Sequence, residues 1–155
     1  MTESNLLHEL VSVAAERSPD APALSYGKAA IDYAQLQSGV SAFASGLRAL
    51  GLQRWERVGI WLEKRIETVI ASFGAPCAGG VFVPMNPLLK PEQVAFIAQD
   101  CNVRVLVTSP DRLPLLLPVF RRKRPAGPKP IPNLKLTLTC GSLFFSPSLK
   151  NCIVK

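Results

Sequence analysis

"RVGIWLEKRIETVIASFGAPCAGGVFVPMNPLLKPEQVAFIAQDCNVRVLVTS", residues 57–109, is the stretch that decides the fold. Residues 57–62 are too short and too continuously apolar for a helix, so they read as a strand buried on both faces. Ile66, Val69, Ile70, Phe73 and Cys77 then recur at helical spacing. Val81-Phe82-Val83 is a second strand, Pro91 suits the first position of a helix running to about Gln99, and residues 103–107 make a third strand. Strand, helix, strand, helix, strand with short links implies parallel pairing through right-handed crossovers. The fold class is therefore α/β, a partial, mostly parallel open sheet flanked by helices. Pro76 falls near the end of its helix, and an interior proline costs about 3 kcal/mol, so that helix is expected to kink or stop near Ala75.

Upstream, Leu6, Leu7, Leu10, Val11 and Ala14 place a first amphipathic helix at 6–15, closed by Ser18-Pro19-Asp20. Residues 23–26 and 30–31 flank a Gly27-Lys28 turn and read as a short hairpin. Asp32 and Gln35 form a capping-box pattern ahead of a helix whose stripe is Leu36, Val40, Phe43, Leu47 and Leu50, ending at Gly51.

Charge divides the chain. Of its 155 residues, the first 120 hold 10 Lys and Arg against 11 Asp and Glu, a net of −1, whereas residues 121–155 hold 8 bases, 5 prolines and no acid. The overall charge of +7 is thus a property of the tail. Two units follow, 1–112 and a basic, proline-rich 113–155 that is expected to lack a stable packed structure. Pro114 and Pro118 disfavour a regular helix after Arg112, and "NLKLTLT" (133–139) alternates like a strand without an identifiable partner. The cluster Arg121, Arg122, Lys123 and Arg124 supports at most weak, non-specific attraction to nucleic acid or an anionic membrane. The four cysteines, Cys77, Cys101, Cys140 and Cys152, lie far apart with no C-x-x-C pair, which fits reduced thiols and a cytoplasmic location. No apolar run is long enough to span a bilayer.

Few residues invite chemistry. His8 has no partner nucleophile or second ligand near it in sequence and reads as a surface or boundary residue. Gly74 to Gly79 has the outer spacing of a phosphate loop, but Gly80-Val81 follows where Lys and Ser or Thr are required; Gly79-Gly80 instead ends a helix. Glu56, Glu63, Glu67, Glu92 and Asp100 fall at strand ends or outward helix faces as solvated surface. Trp61 belongs to the core, and Trp55 sits in a turn where a large aromatic has no evident purpose. No catalytic, cofactor-binding or metal residue is assigned.

"IDYAQL" (31–36), "LRALGLQRWERVGIWL" (47–62), "AGGVFVPMNPLLKPEQVAFIAQD" (78–100) and "VRVLVTS" (103–109), in this order and spacing, resemble the N-terminal subdomain of the adenylate-forming superfamily, and within it the AMP-forming acyl-CoA synthetases. The resemblance covers about 5–112. Where that family usually has Gly followed by an acid in the "GLQRWERV" turn, this chain has Trp55-Glu56. The resemblance implies a carboxylate attacking ATP to give acyl-adenylate and pyrophosphate, then CoA thiol displacing AMP, as in fatty acid metabolism. It also implies that the phosphate loop, the adenine and ribose contacts and the mobile lysine lie beyond the matched region. ATP, Mg and CoA belong to intact members, and no cofactor is expected for this chain.

The expectation is a truncated, silent fragment whose tail arises from out-of-frame reading of a coding region, with a selected basic arm or a misassembled sequence as alternatives. A non-enzymatic binder using Arg121 to Arg124 with Lys129 and Lys135 is a competing function. Half of a split ligase, completed by another chain, is a third, and self-association through surface left uncovered goes with the fragment.

Overall fold

The computed structural model describes residues 6–121 and, as backbone, 135–138 and 153–154. The elements in chain order are α1 (Glu9–Arg17), β1 (Pro22–Tyr26), β2 (Ala29–Asp32), α2 (Tyr33–Ala49), β3 (Arg57–Trp61), α3 (Ile66–Cys77), β4 (Val81–Pro84), α4 (Pro91–Asp100), β5 (Val103–Thr108), α5 (Leu113–Arg121), β6 (Lys135–Leu138) and β7 (Ile153–Val154). The main sheet runs β4-β3-β5-β6-β7, parallel from β4 to β6 and antiparallel at β7, while β1 and β2 form a separate hairpin.

β3 lies between β4 and β5 and is covered on both faces. Val58, Ile60 and the following Leu62 join Leu47, Leu52, Ala71, Ala75, Val105 and Val107 beneath α2 and α3. Trp61 joins Met85, Val94, Ala98, Val103, Leu106 and Leu116 beneath α4 and α5. Each buried large side chain of this strand contributes roughly 1.5–3 kcal/mol. Gly59 shares the α4/α5 face, where an added Cβ would come within 2.9 Å of Leu106 Cδ1 and 3.0 Å of Met85 Cε. The hairpin, α1, α2 and α3 enclose a third cluster around Val11, Leu36, Val40, Ile66 and Ile70.

A register shift follows the pair Arg57↔Val103, because Val58 faces Val105. One extra residue, Arg104, is thereby accommodated on β5. Val103 consequently packs on the α4/α5 face although Val105 and Val107, two and four residues on, pack on the other.

The local chemistry explains the ends of the elements. Asp32 Oδ1 accepts from Gln35 N at 2.7 Å and Gln35 Oε1 accepts from Asp32 N at 3.1 Å, the reciprocal cap that starts α2. At the end of α3, Gly79 N donates to Pro76 O and Gly80 N to Ala75 O, both at 2.9 Å, with Gly79 at φ +88. This 5→2, 6→1 pair is a Schellman closure that only a glycine adopts without strain. In the other connecting turn Trp55 takes φ +69 and donates its N–H to Gly79 O at 2.9 Å.

α3 does stop near Ala75, at Cys77, with Pro76 in its last turn and the Schellman bonds closing it. Several other expectations need correction. A regular helix does form after Arg112. Pro114 is in the first turn of α5, whose N–H groups lack helical partners anyway, and the cost of Pro118 is offset by burying Leu116 with Leu113, Leu117 and Phe120 packed around it. "NLKLTLT" has a partner, since β6 runs parallel to β5 with Val105↔Lys135 and Thr108↔Leu138. α1 starts at Glu9 rather than Leu6, and Leu6, Leu7 and Leu10 are exposed because the helix meets its neighbours chiefly through Val11. Of the tail 113–155 expected to lack a stable packed structure, the first part forms α5 with Leu116 buried, and residues 122–134, 139–152 and 155 lie outside the described residues.

Two substitutions test these contacts. A Cβ at Gly74 would stand 2.6 Å from Phe43 Cδ1 and 3.2 Å from Phe43 Cβ, where α3 crosses α2. Gly74→Ala gains about 1 kcal/mol of helix propensity and loses about 1–3 kcal/mol to overpacking. The urea midpoint is expected to fall, and an unchanged or higher midpoint would show that the two helices separate at no cost. At Trp55, Ala retains the left-handed backbone penalty that Gly escapes. Trp55→Gly should therefore be more stable than Trp55→Ala by about 1 kcal/mol in the same assay.

Candidate functional site

Open α/β sheets bind ligands beyond the carboxyl ends of their strands, where the direction of winding reverses. Here β3 leads through α3 to β4 on one side, and β5 leads through α5 to β6 on the other. α3 and α5 pack on opposite faces. The reversal therefore lies between β3 and β5, and the loops that meet there are 62–65 and 109–112.

Arg112 occupies this position. Its guanidinium lies 4.6 Å from the centroid of the Trp61 ring, Nη1 donates to Pro87 O at 3.1 Å and Nη2 donates to Glu63 Oε1 at 3.1 Å. One side chain thus holds the loops after β3, β4 and β5 together. It is 13% exposed, whereas its partner Glu63 is 62% exposed, so the arginine is the inner member of the pair. Thr108, fully buried, donates its hydroxyl to Trp61 O at 3.2 Å and ties the two strand ends directly. The Trp61 indole N–H is buried without a partner among the described residues.

Arg65 donates from Nε and Nη2 to the two carboxylate oxygens of Glu67 at 3.0 and 3.1 Å, a bidentate pair at the start of α3. The Ser109 hydroxyl, then the local backbone and the nearby Arg112 and Arg65 charges, hold the Asp111 carboxyl below its ordinary range against a small opposing effect of burial. Arg65–Glu67 and Arg112–Glu63 are two separate ion pairs, with Asp111 held near them by Ser109. The arrangement clasps the strand ends.

The residues singled out from sequence are dispersed. Glu56 pairs with Arg104 at 3.5 Å at the amino edge of the sheet, Glu63 with Arg112 and Glu67 with Arg65 at the carboxyl edge. Each of these carboxylates has its own arginine, and Glu67, at 15% exposure, is no solvated surface group. Glu92 and Asp100 are exposed on α4. His8 immediately precedes α1, with Nδ1 buried and unpartnered among the described residues. Trp61 is core, and Trp55 is 66% exposed with Arg54 stacked 5.1 Å from its ring centroid. Gly74 and Gly79 belong to the packing and closure of α3 and make no phosphate loop. Of the basic cluster, Arg122, Lys123 and Arg124 lie outside the described residues, and only the backbone of Arg121 is described, as the last residue of α5. Arg112 went unassigned in the sequence. Its signal was position alone, a cation four residues past the end of a strand whose neighbour ends in Trp61.

Residues 11–140 match the family described as AMP-binding enzyme, a match that runs past Arg112 through α5 and β6. Nonribosomal peptide synthetase 8 of Aspergillus fumigatus is 36% identical over 103 residues, which is 66% of this chain and 1% of that protein. A fatty acyl CoA synthetase of Mycobacterium tuberculosis has the same fold, with TM-score 0.76 and 23% identity over 96% of this chain and 28% of that chain. VinN, in complex with 3-methylaspartate, gives TM-score 0.66 and 28% identity over 69% of this chain and 30% of that chain. The chain thus spans less than a third of these structures and a far smaller part of the synthetase.

The Arg112 clasp has a measurable consequence. Arg112→Ala removes a cation–π contact, a bond to Pro87 O and a partly exposed ion pair, together about 2 kcal/mol. Arg112→Lys keeps the charge but not the fork, and should recover about half of that loss in chemical denaturation. Equal stability of all three proteins would show that the strand ends hold without the clasp.

Proposed function

Because the chain belongs to the AMP-binding enzyme family, we propose that it supplies the N-terminal subdomain of an adenylate-forming ligase and activates no carboxylic acid by itself. The observation that carries this reading is the family match over 11–140 combined with coverage of only 28% of the fatty acyl CoA synthetase chain whose fold it shares. Adenylation needs cationic and backbone donors placed on the phosphates as charge moves to pyrophosphate. The described residues do not fit that task. Arg112 is committed to Glu63 and Pro87 and Arg65 to Glu67, and the Gly74–Gly79 spacing belongs to a helix and its cap. No step involving ATP, Mg or CoA is therefore assigned to this chain's side chains.

The acid favoured for the complete ligase is a fatty or aryl acid converted to its CoA thioester, supported by the acyl-CoA synthetase-like motifs at 31–36, 47–62, 78–100 and 103–109. Activation of an amino acid is the second reading, favoured by the 36% identity to a nonribosomal peptide synthetase. Completion by another polypeptide, as in a split ligase, stays within either reading. A cytoplasmic location goes with a reaction that draws on ATP.

Carboxylate-dependent exchange of labelled pyrophosphate into ATP is the test, run over fatty, aryl and amino acids with preparations free of host synthetases. The 155-residue protein is expected to give background exchange with every acid. Exchange above background would refute the silent-subdomain reading. Exchange that appears only when a second polypeptide carrying the remaining family motifs is added would support it, and the acid that works would choose between the two substrate classes.

A further inference from the structure

Trp55 carries two costs with no visible return to the fold. Its backbone is left-handed at φ +69, which costs an L-residue roughly 1–2 kcal/mol, and its ring is 66% exposed with only the Arg54 guanidinium stacked on it. Strain retained at an exposed position points to recognition. Tryptophan and arginine are also the residue types that dominate binding energy at protein interfaces.

A receptor of matching chemistry lies elsewhere on the same molecule. Glu92, Gln93, Phe96 and Ile97 of α4, with Leu89 two residues before it, line an open groove of about 330 Å³. That is the lower end of the range for small-ligand pockets, ~300–1,000 Å³, and enough for one aromatic side chain. Phe96 is 58% exposed on the groove wall and Leu88, just before it, is 88% exposed. Charge is complementary too. Glu92 in the groove makes no ion pair among the described residues, while the Trp55 turn presents Arg54 and its acid, Glu56, is already engaged by Arg104.

We propose that Trp55 of one copy docks into the α4 groove of a second copy, with Arg54 against Glu92. The turn precedes β3 and so sits at the amino edge of the parallel sheet, whereas the start of α4 follows β4 at the carboxyl edge. Knob and groove lie at opposite ends of the sheet and do not meet within one chain. The contact joins two different patches, so it either repeats head to tail into chains or is made reciprocally by two copies related by a two-fold axis.

The test is sedimentation or light scattering over a concentration series with wild type, Trp55→Gly, Phe96→Gln and an equimolar mixture of the two variants. Trp55→Gly removes the knob at a backbone position glycine prefers, and Phe96→Gln removes the groove wall at an exposed helical site. The near-ultraviolet signal of the buried Trp61 reports that each variant is folded. Wild-type mass should rise with concentration, and each variant alone should associate at least about 30-fold more weakly. The mixture should form dimers and nothing larger, because Trp55→Gly keeps a groove and Phe96→Gln keeps a knob. A wild type that remains monomeric up to its solubility limit, a variant that associates as wild type does, or a mixture that stays monomeric would each overturn the proposal.

Discussion

The structure depends on the burial of β3 on both of its faces. Val58, Ile60, Trp61 and Leu62 point alternately to opposite sides, and none of them meets water. A strand without a polar face needs a neighbour on each edge and a helical layer on each side, which is what β4, β5 and the two helix pairs supply. Parallel neighbours in turn require crossover helices. The fold follows from that requirement, and so does the placement of loops 62–65, 86–90 and 109–112 together at the carboxyl edge.

Two-sided burial also leaves consequences at the margins of the sheet. β4 is an edge strand, with Val81 N and Met85 N donating inward to Glu56 O and Ile60 O at 2.9 Å. Residues between them in the alternation turn their amide side outward, and at Pro84 there is no N–H to offer. That blunts the edge against strand addition. The apolar side chains exposed on the described surface include Trp55, Phe96 and Leu88, and on other faces Leu6, Leu7, Leu10, Tyr26 and Leu115.

At the carboxyl edge, the charges are spent on the molecule's own loops. Arg112 draws on three different interactions at once, stacking on Trp61 and bonding to Glu63 and Pro87. Bracing of this kind stiffens the carboxyl edge of the sheet.

Local rules made much of this legible in the sequence. The alternation of β3, α3, β4, α4 and β5, the Asp32–Gln35 cap and the Gly79-Gly80 helix end each rest on residues within a few positions of one another, so periodicity and turn chemistry suffice. The sequence alone also placed Trp61 in the core and rejected Gly74–Gly79 as a phosphate loop. Tertiary structure decided whatever depends on partners remote in sequence. Leu116 repays the prolines of α5 only because the α4/α5 face of the sheet is there to bury it, and β6 has a partner only because β5 is beside it. The extra residue at Arg104 flips Val103 to the opposite face through its register with β3, which no pattern within β5 reveals. Arg112 and Glu63 are 49 residues apart in the chain and meet because two parallel strands end side by side, a proximity set by the sheet and invisible to spacing.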